Sequence, residues 1–238
     1  MINNREIKLI NSLKRKKNRI EEGLFVVEGE KNVEELLHSN FQTLSIYATH
    51  EWINEVEHIK VSVKELDRIS SLSTPNRVLA LVKIPKQKSI NTSITSLVID
   101  GVNDPGNLGT IIRTANWFGI NQVICSNNSV DKFNPKTIMA SMGSIFKTDV
   151  FYTDLKNYLE ESKLPIYGAL LEGYSIYDTL FNDPSILLLG SESHGISIDL
   201  IPSITHKTTI PGSGSTESLN LGVSAAIYCS EYFKQNSI

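Results

Sequence analysis

Residues 97–113 read LVIDGVNDPGNLGTIIR, and the order of residue types in this stretch indicates how most of the chain folds. An apolar run, Leu97–Ile99, leads into a polar loop that contains two glycines and a proline. Apolar residues then resume at helical spacing over Leu108–Phe118. An apolar run that ends in a glycine- and proline-containing turn is typical of a buried strand. The stretch therefore predicts a strand, a tight loop and a helix, which is the repeating unit of an α/β fold.

The rest of the C-terminal part repeats this alternation. Its further strand candidates are short apolar runs without a polar face: Gln122–Cys125, Ile166–Leu170 and Ile186–Leu189. Helical patterns lie between and after them: Pro135–Met142, Leu155–Ser162 and a last helix at about Ser218–Phe233, with Leu219, Val223, Ala226 and Ile227 on one face. Strands that are apolar on both faces and alternate with helices predict a parallel sheet that helices cover on both sides.

The N-terminal part has the pattern of a smaller α/β unit. Its strand candidates are three short apolar runs: Leu24–Val27, Thr43–Ala48 and Val78–Ile84. Helical spacing of apolar residues runs through residues 2–20, where Gly23 ends it, and recurs near Val63–Ser70. Residues 83–93 are polar and basic and contain a proline, which suits a linker. We predict a first domain over residues 1–88, a linker over 89–94 and the parallel-sheet domain over 95–238.

The composition is that of an ordinary globular protein: of 238 residues, 40% are hydrophobic and 21% are charged. These proportions exclude collagen-like, coiled-coil and wholly disordered chains. Two cysteines, Cys125 and Cys229, are too few for a cysteine-rich metal site or a disulfide framework, and they suit a reducing compartment. The sequence shows neither a membrane-spanning apolar run nor a signal peptide. We therefore expect a cytoplasmic protein with no metal site and no membrane contact.

Positive charge is concentrated at the N-terminal end. The net charge is −3, yet residues 1–20 carry seven Lys or Arg side chains against the single acid Glu6. Five of the seven are clustered: Lys14, Arg15, Lys16, Lys17 and Arg19. A basic segment on an acidic body indicates contact with a polyanion, and the alternative is a solvated helix face. Charge alone leaves both interpretations open.

Open α/β sheets collect their ligands outside the carboxyl ends of the strands, and we assign three segments rich in small and polar residues to that region. They are DGVNDPGNLG at residues 100–109, LLLGSESHG at 187–195 and IPGSGSTESLN at 210–220. In the first, Asn107 is placed at the predicted helix N-cap and Arg113 follows it, a combination that suits a phosphate group. In the second, Gly190 lets a ligand approach the backbone closely. In the third, Thr216 or Ser218 is predicted to start the last helix.

Each segment taken alone is also consistent with an ordinary turn or helix cap. No Walker A loop and no dinucleotide-binding glycine fingerprint is present, which disfavours a nucleotide-dependent dehydrogenase. His194 lies between serine and glycine without a cysteine or aspartate partner, so we interpret it as a loop residue rather than a base.

In this order and at this separation, the three segments resemble the three motifs of the SpoU/TrmH class of RNA ribose 2′-O-methyltransferases, in the SPOUT superfamily. The motifs correspond to residues 107–115, residues 189–195, and Ile210-Pro211 with residues 218–220. Residues 133–136 and 140–144 also match the class, and residues 25–35 resemble an L30e/L7Ae-like substrate-binding domain. The resemblance implies a trefoil-knotted methyltransferase domain from about residue 95 onward, preceded by a smaller L30e-like α/β domain.

The same resemblance implies a cofactor, a site and partners. S-adenosylmethionine would contact five residues of the second and third motifs: Leu189, Gly190, Ile210, Ser218 and Leu219. Catalytic or RNA-phosphate roles fall on Asn107, Arg113, Glu192, Ser218 and Asn220. RNA contacts are expected from Arg113 and from the basic cluster Lys14, Arg15, Lys16, Lys17 and Arg19. The class dimerises through the knot and the C-terminal helix, so a homodimer is implied.

The chemistry of methyl transfer agrees with these roles. Methylation of a ribose 2′-hydroxyl is an in-line attack of oxygen on a sulfonium methyl group, which correct orientation accelerates strongly. A guanidinium stays protonated at neutral pH, so we expect Arg113 to hold a phosphate and to stabilise the developing alkoxide rather than act as the base. DNA lacks the 2′-hydroxyl and is excluded as a substrate. Gly212 and Gly222 depart from the usual motif, which affects details of cofactor contact and not the class.

We therefore expect an enzyme that methylates a ribose 2′-oxygen of structured RNA. Ribosomal RNA is favoured, because transfer-RNA members of the class more often carry short terminal extensions than an N-terminal domain. Two alternatives stay open: a transfer-RNA methyltransferase of the same class, and a non-catalytic RNA-binding or ribosome-assembly protein that keeps the fold. The sequence does not name the target nucleotide or the group that accepts the proton.

Overall fold

The computed structural model describes residues 2–236, whose strands form two sheets. The first sheet has four strands: β1 (Leu24–Glu28), β2 (Thr43–Ala48), β3 (Ile59–Lys60) and β4 (Val78–Lys83). β4 lies between β1 and β2 and runs antiparallel to both, while β3 pairs in parallel with β2. Four helices belong to this part: α1 (Asn4–Ser12), α2 (Lys16–Glu22), α3 (Glu30–Leu37) and α4 (Val63–Asp67). The predicted smaller α/β unit is confirmed.

The helical pattern predicted across residues 2–20 corresponds to two helices rather than one. Asn3 begins α1 with a capping box, in which the Asn3 side chain accepts the Glu6 N–H and the Glu6 carboxylate accepts the Asn3 N–H, each at 2.9 Å. The chain turns after α1, and Gly23 ends α2 in the left-handed conformation (φ 65°). Ile10 and Leu13 are buried against the first sheet, so the apolar spacing reflects packing and not one continuous helix.

The second sheet has six strands, and every neighbouring pair is parallel. The strands are β5 (Ser96–Asp100), β6 (Gln122–Ser126), β7 (Asp149–Thr153), β8 (Ile166–Ser175), β9 (Ile186–Gly190) and β10 (His206–Thr209), in the order β10-β8-β9-β5-β6-β7. The parallel sheet is therefore confirmed, with β5, β6 and β9 at their predicted places and β8 continuing beyond its predicted end at Leu170 to Ser175. The sequence analysis missed the edge strands β7 and β10, because the sequences DVFYT and HKTT are too polar for an apolar run.

Four helices belong to the second sheet: α5 (Pro105–Trp117), α6 (Pro135–Ser141), α7 (Leu155–Glu160) and α8 (Leu221–Asn236). The predicted N-cap of α5 was wrong: Asp104 caps it by accepting the N–H of Asn107 at 2.8 Å, and Asn107 lies inside the first turn. No helix among residues 2–236 combines the length and the apolar character that crossing a bilayer requires.

The predicted start of α8 was wrong as well. The helix begins at Leu221, and the Asn220 Oδ1 atom accepts the N–H groups of Gly222 at 3.0 Å and of Val223 at 3.3 Å. Asn220 thus satisfies two of the backbone donors that a helix N-terminus leaves unpaired. Ser218 and Thr216 precede the helix and lie in an exposed loop.

The two sheets are joined by an apolar core that draws side chains from both. Phe25 of β1 stacks on Phe133, which precedes α6, with the ring centroids 4.3 Å apart. At another point of the interface, the Glu35 carboxylate of α3 accepts from Lys147 Nζ at 2.7 Å. These contacts fix the first sheet against the loops and helices that follow β6.

The predicted linker, residues 89–94, is held against the second sheet. The backbone N–H of Asn91 donates to Gln122 Oε1 at 2.9 Å, and Gln122 Nε2 donates back to the Asn91 carbonyl at 3.0 Å. Ile90 packs against the apolar cluster on that side of the sheet. The connection between the two units is therefore anchored at its centre.

Candidate active site

Three side chains from the three motifs meet beyond the carboxyl ends of the central strands of the second sheet. Asn107 in the first turn of α5 donates through Nδ2 to Glu192 Oε1. Asn220, which caps α8, donates through Nδ2 to Asn107 Oδ1 at 3.1 Å. The backbone N–H of Leu221 also faces Glu192 Oε1, at 3.4 Å. The structure thus brings together three residues predicted from segments far apart in the sequence.

These hydrogen bonds fix the orientation of the Asn107 amide. Its oxygen accepts from Asn220 and one of its N–H groups donates to Glu192, so the amide cannot turn over without losing both. The Glu192 carboxylate lies at the N-terminus of α8, where the helix dipole favours a negative charge. The Glu192 and Asn220 side chains are exposed, and Asn107 is half-buried. The second N–H of Asn107 and the Glu192 Oε2 atom have no partner among residues 2–236 and can face a substrate.

The tight turn that presents Glu192 explains the glycine at position 190. Ser191 and Gly195 exchange backbone hydrogen bonds at 3.1 and 2.9 Å, which folds the chain back over Gly190. A Cβ atom on Gly190 would lie 1.9 Å from the Gly195 carbonyl carbon. The space that a Cβ atom of residue 190 would need is therefore filled by this chain's own backbone, which is a reason for glycine at this position that the sequence analysis did not give.

Sequence reasoning missed one residue that holds this turn. Asp100, the last residue of β5, accepts the N–H of Ser197 at 2.8 Å and is buried. Because β5 and β9 are neighbours, Asp100 lies opposite Gly190 in the sheet. An acid at the end of a central buried strand was a visible signal, since such groups need a hydrogen-bond partner.

The predicted cofactor residues line the end of β9 and the loop before α8. Leu189 is buried, Gly190 and Ile210 are half-buried, and Ser218 and Leu219 are exposed. Residues 211–220 are exposed throughout, and within residues 2–236 no backbone group of 211–219 forms a hydrogen bond with another backbone group. The backbone N–H and carbonyl groups of this loop are therefore available for hydrogen bonds to a ligand. The loop also carries one apolar side chain, Leu219, that is 44% exposed.

Arg113 does not join the Asn107–Glu192–Asn220 cluster. It lies six residues after Asn107 on α5, which places it about 9 Å along the helix axis and about 120° around it. Its side chain is exposed and forms no ion pair or hydrogen bond within residues 2–236. The guanidinium is thus available to an anion that approaches beside the cluster.

The predicted basic cluster is divided by the structure. Arg15, Lys16 and Lys17 are exposed, and Lys14 Nζ donates to the Ser70 carbonyl at 2.8 Å. Arg19 is buried and pairs with Asp131, so it does not lie on the surface with the other four. Burial of one arginine from a basic run was not visible in the sequence, because its partner lies 112 residues away.

A groove of about 600 Å³, lined by residues of both α5 and α8, lies beside the cluster. Asn107 and Asn220 lie along it, and its apolar lining is Phe118, Val223, Ala226 and Ile227. Val223 is 47% exposed although it belongs to the apolar face predicted for the last helix. Leu219, which was predicted to share that face, lies outside the helix.

Asn107, Glu192 and Asn220, which the structure brings together, come from the three segments that resemble the motifs of the SpoU/TrmH class. Residues 94–230 match the model of the SpoU rRNA Methylase family, and residues 4–80 match the MRM3-like substrate binding domain. Because the first match covers more than half of the chain, the chain belongs to the SpoU rRNA Methylase family.

Named relatives and solved structures agree. The chain is 32% identical over 234 residues, 94% of each protein, to the 23S rRNA (guanosine(2553)-2′-O)-methyltransferase RlmP of Bacillus subtilis. It superposes with a TM-score of 0.89 and 35% identity on a structure described as an RNA methyltransferase of the TrmH family from Porphyromonas gingivalis, covering 99% of this chain and all of that one. A structure described as AdoMet-bound rRNA methyltransferase from Sinorhizobium meliloti gives a TM-score of 0.87 at 26% identity, covering 99% and 97%.

Proposed function

We propose that this protein transfers a methyl group from S-adenosylmethionine to a ribose 2′-hydroxyl of ribosomal RNA. The observation that carries the proposal is the hydrogen-bonded cluster of Asn107, Glu192 and Asn220, which unites the three motifs at one edge of the sheet. The Bacillus subtilis relative, similar over almost its whole length, is named for this reaction on 23S rRNA.

The loop before α8 fits S-adenosylmethionine. Its uncommitted backbone groups suit the polar edges of the adenosine and methionine parts, and the exposed Leu219 offers an apolar surface. We propose that Leu189, Gly190, Ile210, Ser218 and Leu219 hold the cofactor, with Gly190 acting through its backbone. When bound, the cofactor supplies an electrophilic methyl group on a sulfonium sulfur.

The side chains of the cluster orient the ribose. Asn107 is held by Glu192 and Asn220, and its second N–H can donate to the sugar without any loss of orientation. A fixed donor costs no reorganisation as negative charge develops on the attacking oxygen. Arg113, which has no partner within residues 2–236, binds the neighbouring phosphate. Ser218 lies in the exposed loop before α8 and completes the polar surface that faces the ribose.

We propose that the active form is a homodimer, joined through the groove between α5 and α8. Val223 of that groove is 47% exposed, and Ala226 and Ile227 are half-buried. All three belong to the face that the resemblance assigns to dimerisation, and a second copy would cover them. The proposal includes a trefoil knot formed by the loops at the active site. It also places the protein in the cytoplasm, because Cys125 and Cys229 are both unpaired and buried.

We propose that residues 1–88 bind the RNA substrate, that residues 89–94 link them to the methyltransferase domain, and that residues 95–238 form that domain. The exposed side chains of Arg15, Lys16 and Lys17, with Lys14 beside them, supply phosphate contacts. The match of residues 4–80 to a substrate-binding domain favours ribosomal over transfer RNA.

The test is methyl transfer from S-adenosylmethionine to an unmodified in vitro transcript of 23S ribosomal RNA, with a transfer-RNA transcript in parallel. Asn107→Ala should lower kcat at least a hundredfold while RNA affinity stays within about threefold, because it removes an oriented donor. Asn121→Ala is the matched control, since Asn121 is exposed and lies before β6, away from the cluster.

Each outcome decides between the alternatives. Transfer only to the transfer-RNA transcript would select the tRNA enzyme, and RNA binding without transfer to either would select the non-catalytic protein. Equal activity of Asn107→Ala and Asn121→Ala would show that the cluster is not the active site.

A further inference from the structure

Arg19 connects the two parts of the molecule. It is 2% exposed, and within residues 2–236 it is the only lysine or arginine that is buried. Its Nη1 atom donates to the carbonyl oxygens of Leu13 at 2.8 Å and of Lys14 at 3.1 Å. Its Nε and Nη2 atoms donate to Asp131 Oδ2 at 2.9 and 2.5 Å. One guanidinium therefore ties the turn between α1 and α2 to the loop between β6 and α6.

The turn that Arg19 holds is the one that carries the exposed positive charge. Leu13 and Lys14, whose carbonyls accept from Arg19, directly precede Arg15, Lys16 and Lys17. The guanidinium donates hydrogen bonds to the backbone on the buried side of the chain, while the side chains of Arg15, Lys16 and Lys17 are exposed to solvent. Arg19 thus fixes the position of residues 13–17, which we call the basic turn, while its own side chain is not on the surface of that turn.

Asp131 is connected on its other side to the helix that supports the active site. Its Oδ1 atom accepts the N–H of Phe133 at 3.2 Å, and its carbonyl accepts the N–H of Asn134, the N-cap of α6, at 3.0 Å. α6 packs on α5 so closely that a Cβ atom on Gly109 would lie 2.5 Å from the Thr137 carbonyl oxygen. Gly109 is two residues from Asn107. The path from the basic turn to the active site therefore runs through backbone contacts and one buried ion pair.

We propose that Arg19 and Asp131 are positioning residues for the RNA substrate, an inference that rests on the proposed function. They hold the basic turn at a fixed distance from the Asn107 cluster, so that an RNA bound through its phosphates places one particular ribose against the cofactor. Phosphate contacts set the register of a bound nucleic acid, and a displacement of about 1 Å at the reacting atoms can lower a rate a hundredfold. The pair therefore acts on the rate and on the choice of nucleotide.

Two variants weaken the pair in different ways. Asp131→Asn removes the negative charge and keeps the shape, whereas Arg19→Lys keeps the positive charge but cannot make the four hydrogen bonds at once. Glu35→Gln is the matched control, because it breaks the Lys147–Glu35 ion pair at another point of the same interface. The four proteins are compared in S-adenosylmethionine binding by calorimetry, RNA binding by filter retention, thermal unfolding, and methylation of the unmodified 23S transcript.

For Asp131→Asn and Arg19→Lys we expect cofactor and RNA affinities within threefold of the unsubstituted protein. We expect kcat to fall at least tenfold, and mapping of the methylated position to show methyl groups on flanking nucleotides. Glu35→Gln should keep both the rate and the position.

Three results would overturn the proposal. Full kcat and a single unchanged position in both variants would show that the pair does not position RNA. Both variants unfolding below the assay temperature, with Glu35→Gln intact, would assign the pair to stability alone. No transfer by the unsubstituted protein would refute the proposed function, and this inference with it.

Discussion

The replacement of Gly190 by alanine tests how the turn after β9 supports the active site. A Cβ atom there would lie 1.9 Å from the Gly195 carbonyl carbon, where ordinary contact begins at 3.4 Å, so the turn has to move by about 1.5 Å. Such a movement breaks the two backbone hydrogen bonds between Ser191 and Gly195. At about 1 kcal/mol net for each hydrogen bond, with some strain remaining, the free energy of unfolding falls by about 2–3 kcal/mol.

The same movement displaces Glu192, which lies inside the turn, from Asn107. We therefore expect Gly190→Ala to lower kcat by at least tenfold in addition to its effect on stability. Urea unfolding measures the stability difference, and the transcript assay measures the rate at a temperature where the variant stays folded. A larger residue at this position would act through the same clash, so it could not report specifically on the cofactor.

Gly212→Ala is the matched control, because Gly212 lies in the loop before α8 and a Cβ there would meet nothing within 4 Å. Its effect on the free energy of unfolding should stay below about 0.5 kcal/mol. If Gly190→Ala were as stable as Gly212→Ala and as active as the unsubstituted protein, the turn would not be what holds Glu192 against Asn107.

Three further predictions concern the oligomer, the RNA surface and alkaline pH. Val223→Glu places a charge in the groove between α5 and α8 and should halve the mass measured by sedimentation. The control Ile53→Glu, at a residue of the N-terminal part that is 95% exposed, should leave the mass unchanged. A dimeric Val223→Glu protein would refute the proposed interface. Replacing Arg15–Lys17 by glutamines should weaken RNA binding and reduce the slope of log affinity against log salt by about 2–3, and an unchanged slope would return these residues to a solvated helix face. Burial raises the pKa of both thiols, Cys125 and Cys229, from 9.0 to about 12. Between these two values a thiol ionises only in the unfolded chain. The free energy of unfolding therefore keeps its full value below pH 9 and falls as the pH rises from 9 toward 12, by up to about 2.7 kcal/mol per pH unit for the two thiols together. Urea unfolding between pH 8 and 10 should show this slope, and the double alanine variant should keep only the smaller slope near pH 10 that comes from buried tyrosines such as Tyr228, whose pKa burial raises to about 12.

Hydrophobic pattern was sufficient to locate the central strands. β2 was predicted with its observed bounds, and β5, β6 and β9 each extend only one or two residues beyond the predicted apolar run. A strand that is buried on both faces has to be apolar throughout, so its sequence is distinctive. The edge strand β10 pairs with one neighbour only and keeps polar side chains, which is why the sequence did not reveal it.

The sequence by itself determined the α/β architecture, the motifs and the residue types of the site, because these follow from local spacing. Only the tertiary structure decided which residues meet. It placed Asn107, Glu192 and Asn220 in one cluster, left Arg113 apart from it, and withdrew Arg19 from the basic surface into an ion pair with Asp131. Charge and helical spacing describe a residue's neighbours along the chain, whereas burial of a guanidinium depends on a carboxylate that folding brings from more than a hundred residues away.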